Sequence, residues 1–180
     1  SGMGGVGKTT IMKDVHNRLL EESKFRKLIW VTKVSQVFDI RKLQKDIASG
    51  QLERNLSDDE STIVRAGKLS KMFRGQMRYV LILDDVWRSF KSLEDVGILE
   101  PTTNNGCKLV LTTRSERVVQ GSMGFKKVKV PCFSMEEAMN LFLSKVGKQD
   151  MLPNPTLESL MKLAVRELYD GFPLALKVLG

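Results

Sequence analysis

After Ser1 the chain reads Gly2-Met3-Gly4-Gly5-Val6-Gly7-Lys8-Thr9-Thr10, and the segment from Gly2 to Thr9 fits the phosphate-binding pattern G-x-x-x-x-G-K-[ST]. Small residues at these spacings let backbone amides close around phosphate oxygens, and a following helix would present its positive end to the anion. A flexible glycine-rich segment is the alternative interpretation. The pattern predicts a nucleotide-binding loop, with contacts from Gly2, Gly4, Gly5, Val6, Gly7, Lys8, Thr9 and Thr10.

An acidic pair supplies the second part of the predicted site. Asp84 follows the continuous apolar segment Tyr79–Leu83, and a P-loop ATPase needs a carboxylate at this position for its Mg²⁺ shell. Asp85 comes next and is expected to orient or deprotonate the attacking water, although a solvent-facing turn residue would look the same. We therefore predict Thr9 and Asp84 as the Mg²⁺ residues, and Lys8 and Asp85 as catalytic residues, with Lys8 reaching the β and γ phosphates.

A candidate sensor residue, Arg114, lies just past the apolar segment Lys108–Thr112. A fixed guanidinium there could contact a γ phosphate and stabilise developing charge, although without a family comparison Arg114 would pass for a surface arginine. The chain has no Asn or Thr followed by Lys-x-Asp, which is the usual guanine-reading element. ATP or ADP, with Mg²⁺, is therefore the predicted cofactor.

Apolar segments of strand length alternate with helical patterns along the chain. The expected strands are Leu28–Val31, Tyr79–Leu83, Lys108–Thr112 and Val128–Val130. Because helices separate them, the pattern predicts an α/β fold with a parallel sheet, in this case a P-loop NTPase fold of three layers whose first strand would precede residue 1.

Helices are predicted from apolar residues that recur every three or four positions. Ser57 with Glu60, and Ser134 with Glu137, have the spacing of capping boxes at helix starts. The chain looks wholly helical after Pro131, so we expect a nucleotide-binding domain over residues 1–131 and the beginning of a helical subdomain over residues 132–180. The apolar faces are Ile11, Met12, Val15, Leu19 and Leu20; Ile40, Leu43 and Ile47; Ala66, Leu69 and Phe73; Ala138, Leu141, Phe142 and Val146; and Leu157, Leu160, Met161, Ala164 and Leu168.

Composition narrows the functional classes. The 180 residues are 42% hydrophobic and 28% charged, which is typical of a globular protein, and no apolar stretch is long enough to cross a membrane. The net charge of +8 is scattered among acidic neighbours, so nucleic acid is not an expected partner. Cys107 and Cys132 lack metal-like spacing and cannot make a disulfide framework, which favours a reducing compartment.

The order of motifs resembles the NB-ARC domain of plant nucleotide-binding, leucine-rich-repeat disease-resistance proteins, over essentially the whole chain. The matching segments are Gly-Met-Gly-Gly-Val-Gly-Lys-Thr-Thr at 2–10, Leu-Ile-Leu-Asp-Asp-Val-Trp at 81–87, Cys-Lys-Leu-Val-Leu-Thr-Thr-Arg at 107–114, Phe-Ser-Met-Glu-Glu-Ala at 133–138 and Gly-Phe-Pro-Leu-Ala at 171–175. With Trp87 at its end, the second motif resembles that of the family branch whose proteins carry a coiled coil, rather than a TIR domain, at the amino terminus. The chain would be a partial fragment of such a protein.

The resemblance implies an adenine-nucleotide switch of the STAND class, with ADP bound at rest and ATP in the active state. It implies slow hydrolysis, defence signalling and a cytoplasmic, intracellular location that leaves peripheral membrane association open. It also implies that Arg114 is the sensor arginine, that Pro173 packs near the adenine, and that the partners are coiled-coil and leucine-rich-repeat domains of the same protein. Self-association on activation is a further implication.

Two other functional classes remain open at this point. A motor or remodelling ATPase acting on nucleic acid or protein would share the phosphate loop and could use the +8 charge. A purely structural interaction module would keep the fold without nucleotide, but it would have no need of Lys8, Thr9 and Asp84 together.

Overall fold

The computed structural model describes residues 1–2, 4–22, 24–31, 34, 39–51, 56–75, 78–88, 92–121, 124–146, 159 and 163. The chain divides into two compact units. The first unit consists of Ser1 and Thr9–Lys127, and the second contains Gly2–Lys8 together with the chain from Val128 onward.

A parallel sheet of three strands forms the centre of the first unit. The strands are β1 (Lys27–Val31), β2 (Tyr79–Leu83) and β3 (Lys108–Leu111), in the order β1-β2-β3. Val31, Leu83 and Leu111 are in register, so the strands end together. The prediction of a parallel α/β sheet is confirmed, and the segments that follow β2 and β3 meet at one edge.

Alternation along the strands gives the sheet two apolar faces. Ile29, Leu81 and Leu83 face helices α2 (Ile40–Gln51) and α3 (Thr62–Arg74), whose Leu43, Ile47, Leu69 and Phe73 are buried in the same cluster. Leu28, Val80 and Ile82 face the opposite way, where residues of helix α1 (Lys8–Glu21) pack on them. Every residue of β2 is buried, as expected of a central strand covered on both faces.

The apolar face of α1 is narrower than the sequence pattern predicts. Met12 and Leu19 pack against the sheet, but Ile11 and Leu20 are exposed, with 42% and 60% of their surface accessible. His16 takes part in the buried face instead, with its ring centroid 5.1 Å from that of Trp30. The helix turns its 12–16–19 edge to the sheet, because a single helix can offer only one stripe to a flat surface.

The amino terminus of α3 corrects one prediction. The helix begins at Thr62 with Ser61 as its N-cap, and the Ser61 hydroxyl accepts from the Val64 N–H at 3.4 Å. Ser57 is not the cap, because residues 58–60 form a turn and a bend and the helix begins only at Thr62. The Ser57–Glu60 capping box is therefore wrong, and Glu60 pairs with Lys68 instead.

Exchange of Ser61 for alanine should destabilise the fold by about 1 kcal/mol, because the first turn of α3 loses its side-chain acceptor. Ser57→Ala is the matched control, and it should cost less than about 0.5 kcal/mol because this exposed hydroxyl accepts only from the nearby Asp59 N–H. Urea unfolding midpoints measure both changes. A larger loss from Ser57→Ala would restore the capping box at Ser57.

Two short helices complete the first unit: α4 (Leu93–Val96) precedes β3 and α5 (Glu116–Gly121) follows it. Ser92 caps α4, and Gly97 ends it in the left-handed conformation with φ 93°. The Gly97 N–H donates to the carbonyls of Leu93 and Glu94, so the helix is closed at both ends despite its length.

The second unit contains α6 (Met135–Val146), and here the capping box is confirmed. The Ser134 N–H donates to Glu137 Oε2 at 2.7 Å, and the Glu137 N–H donates to Ser134 Oγ at 3.2 Å. Ala138 is fully buried, as its place on the apolar face requires. The predicted strand Val128–Val130 is wrong: the segment has no ladder partner among the described residues, and 61% of Val128 is exposed.

Some predictions lie outside the described residues, including Pro173, the 171–175 motif and all but Ser159 and Leu163 of the helix expected over 157–168. The boundary between residues 131 and 132 stays a prediction. Both cysteines are free. Among the helices of the described part of the chain, none is both long and apolar enough to span a bilayer.

Candidate functional site

The phosphate loop, Gly2–Lys8, has the backbone that its glycines allow. Gly5 and Gly7 adopt φ angles of 80° and 87°, a region that residues with a side chain rarely enter. A Cβ built on Gly7 would meet no atom of the described residues within 4 Å, which leaves room beside this glycine for a ligand. A Cβ on Gly2 would lie 2.9 Å from the Val130 carbonyl oxygen, which makes this position tight.

Lys8 joins the loop to α1. It is the first residue of the helix, its surface is almost fully buried, and its ammonium donates to the Gly2 carbonyl at 2.6 Å. A helix of 14 residues that begins at the end of a glycine loop directs the N–H groups of its first turn there, which is the usual arrangement for holding a phosphate. The loop residues therefore fit a polyphosphate in backbone conformation, open space and charge.

A buried carboxylate marks the carboxyl end of β2. Only 3% of the Asp84 surface is exposed. Its Oδ2 accepts from the Thr9 hydroxyl at 2.9 Å, and its Oδ1 accepts from the Thr112 hydroxyl. No cation forms an ion pair with Asp84 within the described ranges. A buried carboxylate without a cation is costly, so the site favours an added positive charge.

Mg²⁺ fits these residues by the chemistry of their oxygens. It prefers hard oxygen ligands and is usually held by one or two carboxylates with water and substrate phosphates, not by a full protein cage. Thr9 and Asp84 offer a hydroxyl and a carboxylate in mutual contact. No cluster of three acidic, His or Cys side chains that could hold a metal occurs among the residues described.

Asp85 and Arg114 form a pair beside this carboxylate. Arg114 Nε donates to Asp85 Oδ1 at 3.1 Å and Nη2 donates to Oδ2 at 3.4 Å. The Trp87 indole N–H also donates to Oδ2, at 3.2 Å. Residues from the ends of two neighbouring strands thus meet at one edge of the sheet, where α/β proteins commonly bind their ligands.

Comparison with known protein families matches residues 1–152 to the NB-ARC domain. The chain belongs to the NB-ARC domain family. The family is a nucleotide-binding one with the P-loop NTPase fold, so the predicted fold class is confirmed. The parallel sheet and the loop conformation described above agree with it.

Similar proteins are found in Arabidopsis thaliana. The chain is 40% identical to Disease resistance protein UNI and 37% identical to Disease resistance protein RPS5, in each case over 99% of the chain and 20% of the relative. A probable disease resistance protein of the same plant is 38% identical over 99% of the chain and 23% of its own length. The chain therefore spans about a fifth of the length of these relatives.

Several predicted site residues of the NB-ARC domain lie together. Thr9 with Asp84, and Asp85 with Arg114, are in direct contact, while Thr10 is exposed on α1 next to Thr9. Lys8 contacts Gly2 within the loop. Pro173 and Met3 lie outside the described residues. The roles assigned to these side chains stay predictions.

Two residues of the site escaped the sequence analysis. Thr112 was predicted only as the end of a strand, yet its hydroxyl donates to Asp84 and accepts from the Asp85 N–H at 2.9 Å. Trp87 was interpreted only as a mark of family branch, yet it contacts both Asp85 and Arg114. Parallel pairing of Leu83 with Leu111 could have predicted the first contact, because it sets Asp84 beside Thr112.

Proposed function

We propose that this NB-ARC domain is the adenine-nucleotide switch of an intracellular plant immune receptor, bound to ADP at rest and to ATP in its active state. The observation that carries the proposal is the buried Asp84 carboxylate in contact with the Thr9 hydroxyl. Burying a carboxylate charge without a counter-charge is energetically costly. A metal–nucleotide complex would supply the missing cation. The disease-resistance relatives supply the immune context.

In the proposed site the phosphates lie against the glycine loop, with Lys8 turning its ammonium from the Gly2 carbonyl towards the β and γ phosphates. Thr9 and Asp84 would hold Mg²⁺, and the ion would supply positive charge to the phosphates there. Asp85 orients the attacking water and takes its proton, and Arg114 contacts the γ phosphate. By resemblance to the family, Pro173 would pack near the adenine.

Slow hydrolysis follows from the pairing of Asp85. Its two oxygens already accept three hydrogen bonds from Arg114 and Trp87, which leaves about one of roughly four acceptor positions for a water molecule. A general base must lie within hydrogen-bonding distance of the proton that it takes. An Asp85 occupied in this way suits a regulatory switch, which needs a long-lived state, better than an enzyme of rapid turnover.

The wider proposal concerns the protein around this domain. By analogy with disease-resistance proteins, the coiled-coil and leucine-rich-repeat domains of the same protein are its partners, the location is cytoplasmic, and activation leads to self-association. A γ phosphate would favour one of two conformations only through contacts that differ between them. Arg114 is the residue for which we expect such a difference.

The first test identifies the nucleotide that copurifies with the protein, by chromatography after denaturation. ADP should be released in near-stoichiometric amount. Lys8→Ala should weaken nucleotide affinity by about 100-fold or more, because about 3 kcal/mol is lost with a charge-assisted bond to phosphate, and it should therefore release much less ADP. Lys13→Ala is the matched control, since Lys13 lies exposed on the same helix.

The absence of adenine nucleotide from both the parent protein and Lys13→Ala, in folded samples, would contradict the proposal and favour a structural interaction module. Rapid ATP turnover that DNA or RNA stimulates would instead favour the remodelling ATPase, for which the +8 charge is the supporting observation. Unstimulated turnover far slower than the 1–100 s⁻¹ that is roughly usual for kinases agrees with a switch.

A further inference from the structure

Three side chains at the sheet edge form a closed cluster, which we call the Asp85–Trp87–Arg114 cluster. Arg114 and Asp85 are joined by two hydrogen bonds, of 3.1 and 3.4 Å. The Trp87 indole N–H donates to Asp85 Oδ2 at 3.2 Å, and the Arg114 Cζ lies 5.4 Å from the Trp87 ring centroid. Each member therefore contacts the other two.

The backbone of Asp85 is held in an unusual conformation. Its φ angle is 59°, in the left-handed region that residues other than glycine seldom adopt. The Asp85 N–H donates to Thr112 Oγ1, and the Val86 N–H donates to the Thr112 carbonyl at 2.8 Å. Surroundings that fix a strained residue so firmly are common at functional sites. The cluster is thus anchored to the same Thr112 that contacts the Asp84 carboxylate.

The ion pair alone does not explain why Arg114 stays on Asp85. The Arg114 side chain is 47% exposed and that of Asp85 is 24% exposed, and ion pairs of such exposure contribute little to stability. Trp87 adds two contacts that an ordinary surface pair lacks: a hydrogen bond to the charged carboxylate and a ring face for the guanidinium. An indole is the side chain that supplies both.

We propose that Trp87 is a positioning residue that holds Arg114 closed on Asp85, so that an incoming anionic phosphoryl group must compete with Asp85 for the guanidinium. Trp87 thereby favours a nucleoside diphosphate over the triphosphate at this site. The preference for the diphosphate rests on the proposed function, whereas the role of Trp87 in holding Arg114 on Asp85 does not. Trp87 acts through Arg114 and Asp85 and needs no contact of its own with the ligand.

The first test measures the coupling between Asp85 and Arg114 by a double-mutant cycle of Asp85→Asn and Arg114→Gln. Asparagine tolerates the left-handed backbone, so the exchange at Asp85 removes charge without moving the chain. The unfolding equilibrium constant should show a coupling of about 2- to 5-fold, as expected of an exposed but well-aligned pair. The cycle needs no nucleotide.

The same cycle is then repeated with Trp87 exchanged. Trp87→Leu should abolish the coupling, while Trp87→Phe keeps a ring face, lacks the N–H, and should retain part of it. Equal coupling in all three backgrounds would overturn the proposal, because Trp87 would then be a packing residue only. Trp87→Phe preserves an aromatic ring of similar character, so it keeps the test decisive if the leucine variant fails to fold.

The second test follows nucleotide binding by the fluorescence of Trp87. Trp30→Phe leaves Trp87 as the sole tryptophan, and it removes an indole N–H that is buried without a hydrogen-bond partner, so no bond is lost. A non-hydrolysable ATP analogue should shift the emission of Trp87, whereas ADP should leave it nearly unchanged. The analogue draws Arg114 off the ring, which alters the surroundings of the indole.

Affinities for the two probes complete the test. Trp87→Leu should strengthen binding of the ATP analogue relative to ADP by about 2- to 10-fold, since the contacts that compete for Arg114 are gone. An unchanged ratio would contradict the selectivity. If neither probe binds to the parent protein, the proposed function fails, and the double-mutant cycle still decides whether Trp87 holds the pair.

Discussion

Gly97→Ala is expected to destabilise the domain by about 3 kcal/mol or more, a large part of the 5–15 kcal/mol or so that holds a typical domain folded. Two costs combine. The residue ends α4 at φ 93°, where a side chain costs about 1–2 kcal/mol. A Cβ there would also lie 2.4 Å from the Ala66 carbonyl oxygen and 2.8 Å from its Cα, which no rotamer change can relieve. Separating α4 from α3 is the remaining response, and overpacking of this kind costs about 1–3 kcal/mol.

Gly67→Ala is the matched control for this exchange. Gly67 lies inside α3, directly after Ala66, and a Cβ built on it would meet no atom within 4 Å in the part of the chain that the structure describes. Alanine there should stabilise the helix by about 0.5–1 kcal/mol, since glycine is a poor helix residue. In thermal unfolding followed by circular dichroism, the midpoint should fall for Gly97→Ala and rise for Gly67→Ala. A Gly97→Ala midpoint at or above that of the parent protein would show that the α3–α4 contact is loose.

Local patterns were sufficient to predict the sheet. Continuous apolar residues set the bounds of β2 without error, and β1 and β3 differ from prediction by one residue each. The contact between Thr9 and Asp84 could also be expected, because both residues were predicted to hold the same Mg²⁺ ion. These features follow from hydrophobicity and motif spacing, which act over short stretches of chain.

Other features depend on tertiary contacts, which sequence patterns do not reveal. Arg65 interrupts the apolar face of α3, yet only 1% of it is exposed, because its guanidinium donates to the carbonyls of Ser57 and Arg41. Val128–Val130 has the composition of a strand, but a strand also needs a neighbour to pair with. Asp85, which accepts hydrogen bonds from both Trp87 and Arg114, has a left-handed backbone that composition does not encode.

Asp84→Asn should remove the dependence of stability on Mg²⁺ and nucleotide while leaving the protein folded in EDTA. The carboxamide has the shape of the carboxylate and can bond to the Thr9 and Thr112 hydroxyls, which donate or accept as needed. It also relieves the burial of an unpaired charge at a site that is 3% exposed. The unfolding free energy in EDTA should therefore stay within about 1 kcal/mol of the parent value.

In the parent protein, Mg²⁺ with ADP at 100 times its dissociation constant should add about 2.7 kcal/mol, and Asp84→Asn should lose most of this gain. Asp59→Asn makes the same chemical change on an exposed turn, so it should keep the full response. Thermal unfolding with ADP, in Mg²⁺ and in EDTA, gives the comparison for all three proteins. An Mg²⁺ response that survives in Asp84→Asn would place the metal elsewhere, and strong destabilisation in EDTA would make Asp84 a structural residue, since its charge would then stabilise the fold without any metal.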